Sequence, residues 1–79
     1  MLIEVMGSGC AKCKRLEQNV QRAVKELGLK ATVKKVEDVS EMMERGVMMT
    51  PALYIEGEPM VTGRVPSVDE IKELLGDRP

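Results

Sequence analysis

The sequence predicts an α/β fold with the element order β-α-β-α-β-β-α, a four-stranded mixed sheet and helices on both faces. A long helical pattern lies between two β-like runs, which is typical of a βαβ unit. Two further β runs flank a turn that contains glycine, and the chain closes with a capped helical pattern. Because 79 residues provide apolar material for one small core, we expect a single domain over residues 1–79.

The first two elements are the most strongly patterned part of the chain. Residues 1–6 are apolar except for Glu4 and precede a Gly-Ser-Gly turn, which predicts an interior strand. Residues 12–27 carry the apolar stripe of an amphipathic helix, and Gly28 supplies a left-handed stop. The stripe consists of Cys13, Leu16, Val20, Val24 and Leu27.

The next two elements are shorter. Residues 29–36 alternate loosely and carry lysines, which predicts a partly exposed strand parallel to the first, because βαβ crossovers are right-handed. Asp38 or Ser40 can cap a short helix that runs through Arg45, with Gly46 as its stop.

The last third of the chain predicts a hairpin followed by a helix. Residues 52–55 and 59–62 form the hairpin strands, and Pro59 indicates that the second lies at the edge of the sheet. Ser67 and Glu70 are spaced as a capping box for the final helix. Its apolar positions and its expected terminator are Val68, Ile71, Leu74, Leu75 and Gly76.

Composition excludes several classes of partner and location. Twelve basic and thirteen acidic residues are interspersed and give a net charge of -1, so we expect neither nucleic-acid nor membrane binding. Residues 1–6 are too short for the apolar region of a signal peptide, and no run is long enough to span a bilayer. The expected location is the cytoplasm, where thiols are kept reduced.

Cys10 and Cys13 are the only cysteines, and the chain has no histidine. They lie at the predicted strand-to-helix turn, which Gly7 and Gly9 frame. Because Cys13 belongs to the apolar stripe and Cys10 precedes it, we expect Cys10 to be exposed at the helix start and Cys13 to face the core.

This spacing suits thiol-disulfide exchange. The helix N-terminus and the positive charges of Lys12, Lys14 and Arg15 are expected to lower the pKa of the Cys10 thiol below its ordinary value. The Cys10 thiolate would attack a substrate disulfide, and Cys13 would resolve the mixed disulfide from one helical turn away.

Three motifs carry a family resemblance. In chain order they are Cys10-Ala11-Lys12-Cys13 at the first strand-to-helix turn, Thr50-Pro51 before the hairpin, and Gly63 after it. With them the chain resembles the thioredoxin superfamily over residues 1–75. It is most similar to the small thioredoxin-like or glutaredoxin-like redox-active disulfide proteins of archaea and bacteria.

The resemblance implies roles for particular residues. In that family the proline at the position of Pro51 is cis and lies against the cysteines, and the backbone at Thr50 pairs with the substrate. Gly9, Ala11 and Lys12 would also contact substrate.

The resemblance further implies a monomeric thiol-disulfide oxidoreductase that needs no cofactor. Its partners would be disulfide-containing proteins and a recycling reductase similar to thioredoxin reductase. Residues 64–66, with the sequence Arg-Val-Pro, replace the Gly-Asp type of segment with which glutaredoxins hold glutathione. Dedicated use of glutathione is therefore not expected.

Glu4 is a candidate for proton transfer. It precedes Cys10 by six positions, where thioredoxins carry a buried acidic residue that helps proton transfer at the second cysteine. Burial would raise the pKa of Glu4 and suit it to this role. The alternative is that Glu4 lies solvated at the sheet surface.

Two other classes of function remain open. Heavy-metal-associated domains also carry Cys-x-x-Cys at the start of their first helix, and soft thiolates suit Cu(I) or Zn. Those domains end in a strand, whereas a terminal helix is predicted here. A redox sensor without turnover would need the same two thiols. Thioether ligands are also conceivable, but methionines more often fill cores; the candidates are Met6, Met42, Met43, Met48, Met49 and Met60.

Overall fold

A computed structural model describes residues 1–7, 9 and 11–76 of the chain. The order of its elements confirms the predicted β-α-β-α-β-β-α succession. The elements are β1 (Leu2–Met6), α1 (Ala11–Leu27), β2 (Thr32–Val36), α2 (Val39–Glu44), β3 (Ala52–Ile55), β4 (Glu58–Thr62) and α3 (Val68–Gly76). None of the helices in this described part combines the length and hydrophobicity needed to cross a bilayer.

Within the described residues, the strands form one mixed sheet in the order β2-β1-β3-β4. β1 pairs in parallel with β2, as the βαβ prediction requires, and antiparallel with β3. β3 and β4 form the predicted hairpin, and β4, which contains Pro59, lies at an edge. The most apolar run of the N-terminal third is therefore an interior strand.

Helices cover both faces of the sheet, as predicted. Alternation along β1 directs Ile3 and Val5 to the face covered by α1 and α3, where the larger core lies. Met6 points to the opposite face and packs in a smaller cluster with Met42 of α2. The larger core comprises Ile3, Val5, Leu16, Val20, Ala23, Leu53, Ile55, Val61, Ile71 and Leu75.

Several element boundaries differ from the sequence prediction by one to three residues. β2 begins at Thr32 and not at residue 29, because the chain is still completing the end of α1: the Leu29 N–H donates to the carbonyl of Val24 at 3.1 Å. Gly76 is the last residue of α3, whereas it was expected to be the stop that follows this helix.

The helix caps agree with the sequence. Asp38, one of the two candidates, caps α2 by accepting hydrogen bonds from the backbone N–H groups of Ser40 and Glu41. Ser67 caps α3 by accepting from the N–H of Glu70 at 3.1 Å.

The expectation that the methionines fill the core is correct only in part. Met6 and Met42 are buried and Met60 is half-buried, but Met43, Met48 and Met49 are exposed. Met43 follows Met42 on α2, a helix of six residues in which Met42 is the buried one, and the Met43 side chain therefore faces solvent. Met48 and Met49 lie in the irregular segment that leads to Pro51, and Met48 is 93% exposed.

Candidate active site

Cys13 lies in the first turn of α1 and is only 4% exposed, which confirms that it faces the interior. Its side chain packs on Gly7, directly after β1. A Cβ added to Gly7 would overlap the sulfur of Cys13 and would lie 3.0 Å from the Cβ of Cys13. There is therefore no room for a side chain at Gly7. The Gly7 N–H donates to the carbonyl of Val36 at 2.9 Å and continues the pairing of β1 with β2. Cys10 lies outside the described residues, and its exposure stays a prediction.

The segment before β3 has the geometry that the resemblance implied. The Thr50–Pro51 peptide bond is cis. Pro51 is buried, whereas Thr50 is exposed, and in the described part of the chain no backbone group of Thr50 has a hydrogen-bond partner.

Gly63 connects this segment to the end of β4. Its N–H donates to the carbonyl of Pro51 at 2.9 Å. Its φ of 80° is in the left-handed region, and the terminal methyl of Met49 lies 2.8 Å from the position that a Cβ would take. Glycine is therefore favoured at this position for its backbone conformation, whereas the Met49 methyl is the end of a flexible, exposed side chain that can move aside.

A depression of about 400 Å³ lies between the start of α1 and the chain after β4. Its lining residues are Ala11, Lys12, Arg15, Gly63, Arg64 and Val65. We call it the α1 groove. The structure thus brings two of the predicted substrate-contacting residues, Ala11 and Lys12, to the chain segment that is hydrogen-bonded to Pro51. Thr50 and Gly9 do not line the groove; Gly9 is half-buried and has a φ of 83°.

Glu4 is buried at 4% exposure, but its environment is not the one that the sequence suggested. Arg45, directly after α2, binds the carboxylate through both ends of its guanidinium group, with 2.6 Å between Arg45 Nη2 and Glu4 Oε1. The guanidinium carbon also lies 5.5 Å from the centre of the Tyr54 ring, in the range of a cation-π contact.

The expected direction of the Glu4 pKa is therefore wrong. The hydrogen bonds from Arg45 stabilise the ionised carboxylate, and they lower the pKa of Glu4 more than burial raises it. The same pairing raises the pKa of Arg45. Since successive side chains of β1 point to opposite faces of the sheet, Glu4 lies on the same face as Met6, which is the face covered by α2. Cys13 belongs to α1 and packs on Gly7 from the other face. Sequence reasoning missed Arg45 because no local pattern links residues 41 positions apart.

The described side chains also bear on the metal-binding alternative. Within residues 1–7, 9 and 11–76, no group of three or more histidine, cysteine, aspartate or glutamate side chains is placed to hold a metal ion. The terminal helix α3 also differs from the final strand expected of a heavy-metal-associated domain.

Comparison with known proteins identifies the family. The model of the thioredoxin domain family matches residues 1–76. A thioredoxin of Methanothermobacter thermautotrophicus is 43% identical over 75 residues, which cover 95% of this chain and 97% of the relative. A thioredoxin of Methanocaldococcus jannaschii is also 43% identical over 75 residues, covering 95% and 86%. The chain belongs to the thioredoxin family and is a thiol-disulfide oxidoreductase.

The contact between Gly7 and Cys13 makes a first prediction. Gly7→Ala should lower the free energy of unfolding by about 1–3 kcal/mol, because the added methyl group overlaps the Cys13 side chain and must displace α1. Urea unfolding measures the change. Gly76→Ala is the matched control: a Cβ there meets nothing within 4 Å, and we expect no loss. Equal stability of the Gly7 variant and the wild type would show that the contact is not tight.

The ion pair between Glu4 and Arg45 makes a second prediction. Glu4→Gln should lower the free energy of unfolding at pH 7 by about 2–4 kcal/mol, because it removes the carboxylate that binds both ends of the partly buried guanidinium group. Glu70→Gln is the control, since Glu70 also pairs with an arginine but at the surface. A much smaller loss is expected there.

The pH dependence follows from the direction of the pKa shift. The folded protein holds the pKa of Glu4 below its ordinary value of 4.5, so the ionised carboxylate stabilises the fold above that pH. This contribution is lost as the pH falls through the pKa of the folded state. The difference between wild type and Glu4→Gln should therefore narrow below about pH 4 in urea unfolding. A difference that is independent of pH would contradict the assignment.

Proposed function

We propose that the protein reduces disulfide bonds in other proteins through a redox-active Cys10/Cys13 couple. The observation that supports this most directly is the burial of Cys13 on Gly7 in the first turn of α1. A sulfur in that position is shielded from substrate and follows Cys10 by three positions in the sequence. This is the asymmetry that an attacking and a resolving thiol require.

The reaction is two successive exchanges. The Cys10 thiolate attacks one sulfur of the substrate disulfide, forms a mixed disulfide and releases the other substrate sulfur as a thiolate. Cys13, as a thiolate, then attacks the Cys10 sulfur and releases the second substrate thiolate. The substrate gains two electrons, and the enzyme is left with a Cys10–Cys13 disulfide. A reductase returns two electrons and two protons to restore the dithiol.

The surface beside the cis-proline supports a protein as substrate. Among the residues that the structure describes, none pairs with the N–H or the carbonyl of the exposed Thr50, and an extended segment could bind these groups as a short added strand. Met48 and Met49 precede it and are 93% and 59% exposed, which provides adaptable apolar contact area. A site that binds the substrate backbone, with flexible apolar side chains beside it, can accept polypeptides of many different sequences.

The remaining expectations from the sequence form part of the same proposal. The chain would act as one domain over residues 1–79, as a monomer, in the cytoplasm. It would take part in electron transfer with a reductase similar to thioredoxin reductase. Glutathione is not its dedicated partner, because Arg64 and its neighbours replace the segment that would hold it.

The order of attack can be tested with two serine variants. Wild-type protein should catalyse reduction of insulin by dithiothreitol, and Cys10→Ser should abolish this activity because no attacking thiolate remains. Cys13→Ser should form a mixed disulfide with the substrate that persists on a non-reducing gel, because the resolving step is removed. Far-UV circular dichroism establishes that both variants are folded. An inactive wild type that binds one equivalent of metal would favour the metal-binding alternative.

Proton transfer by Glu4 stays a prediction and has a separate test. An acid that Arg45 keeps ionised can accept a proton at neutral pH but has none to donate. If Glu4 accepts the Cys13 proton, Glu4→Gln should slow turnover and alter its pH profile at a pH where the variant is fully folded. A profile equal to that of the wild type would limit Glu4 to stabilising the fold.

A further inference from the structure

The α1 groove, defined above, has an unusual concentration of positive charge. Lys12 and Arg15 line it from the first turns of α1, and Arg64 lines it from the chain after β4. No acidic residue occupies the first turn of α1, so no side chain of that turn offsets the positive end of the helix dipole.

Most of this charge is not neutralised by the protein. Within the described residues, Lys12 and Arg15 form no ion pair, whereas Arg64 is bound by Glu70, with 2.8 Å between Arg64 Nη1 and Glu70 Oε1. The whole chain carries a net charge of -1. The positive potential is therefore a local property of the groove and not a general attraction for anions.

The groove also adjoins the residues that would bind the substrate backbone. Gly63 lines the groove and is hydrogen-bonded to Pro51, next to Thr50. Ala11, on the other side of the groove, is the first residue of α1, the helix that carries Cys13. A substrate segment on Thr50 whose disulfide reaches the active-site turn would thus place a neighbouring side chain over the groove.

We propose that the α1 groove binds a carboxylate side chain next to the cysteine of the substrate, so that the enzyme prefers disulfides flanked by aspartate or glutamate. This inference rests on the proposed function. Guanidinium and ammonium groups on two sides of a groove are complementary to a carboxylate, which can accept hydrogen bonds from both. Arg15 and Arg64 are then specificity-determining residues, and Glu70 is a competitor that occupies Arg64 in the free enzyme.

The test compares two disulfide-bridged peptides that differ only in having glutamate or glutamine beside the cysteine. The measured quantity is the ratio of kcat/KM for the acidic peptide to that for the neutral one. This ratio cancels any effect of a variant on the reactivity of Cys10, because such an effect changes both rates equally. Wild-type protein should favour the acidic peptide about three- to tenfold at low salt, and less as the ionic strength rises.

Charge-matched variants assign the preference to the groove. Arg15→Gln with Arg64→Gln should bring the ratio closer to one, because only Lys12 then remains of the three cationic side chains that line the groove. Lys25→Gln with Lys30→Gln removes the same charge from exposed positions outside the groove and should leave the ratio unchanged. Glu70→Gln should raise the ratio, because it releases Arg64 while the backbone hydrogen bond to Ser67 is kept.

Each outcome decides the proposal. A wild-type ratio of one, or equal losses on both peptides in the groove variant, would overturn the preference while leaving the disulfide reductase function intact. A loss in the Lys25 and Lys30 variant equal to that in the groove variant would attribute the preference to overall charge and also overturn it. A wild-type protein that reduces neither peptide would overturn the proposed function together with the inference.

Discussion

The missing side chain at Gly7 is the constraint on which the site depends. It lets the first turn of α1 close against the end of β1, so that Cys13 is buried where the parallel strands β1 and β2 still pair. Because α1 also supplies Leu16 and Val20 to the larger core, the helix that carries the sulfur is held along its whole buried face. The first turn of α1, which carries Cys13, is thus part of the central packing of the molecule.

The opposite face of the sheet is held by a different kind of interaction. Arg45 reaches from the end of α2 to Glu4 on β1 and lies over Tyr54 on the neighbouring strand β3. The apolar cluster on this face is small, and α2 contributes only Met42 to it. The ion pair between Arg45 and Glu4 is therefore a second contact that holds α2 against the sheet. The sequence position of Glu4 suggested a role in proton transfer. In the structure Glu4 forms an ion pair with Arg45, which links β1 to the end of α2.

The sequence predicted the parts of this structure that depend on local patterns. The stripe that includes Leu16, the caps at Asp38 and Ser67, and the edge position implied by Pro59 each follow from spacing or from residue type. The pairing of Arg45 with Glu4 and the contact of Met49 with Gly63 join residues distant in sequence, and a single chain offers no signal for them. The cis conformation of the peptide bond before Pro51 was implied by the family resemblance and not by a local pattern. The α1 groove could be recognised only in the structure, because the residues on its two sides are about fifty positions apart in the sequence.

The two outer strands of the sheet carry different protections against pairing with another copy of the chain. On β4, Pro59 lacks the N–H that a neighbouring strand would need, and the pairing register with β3 shifts between Leu53 and Tyr54. On β2, Lys34 and Lys35 are exposed, so a strand that paired there would have to cover charged side chains. A sheet of only four strands exposes a large share of its backbone at its margins, and these features reduce its tendency to aggregate edge to edge.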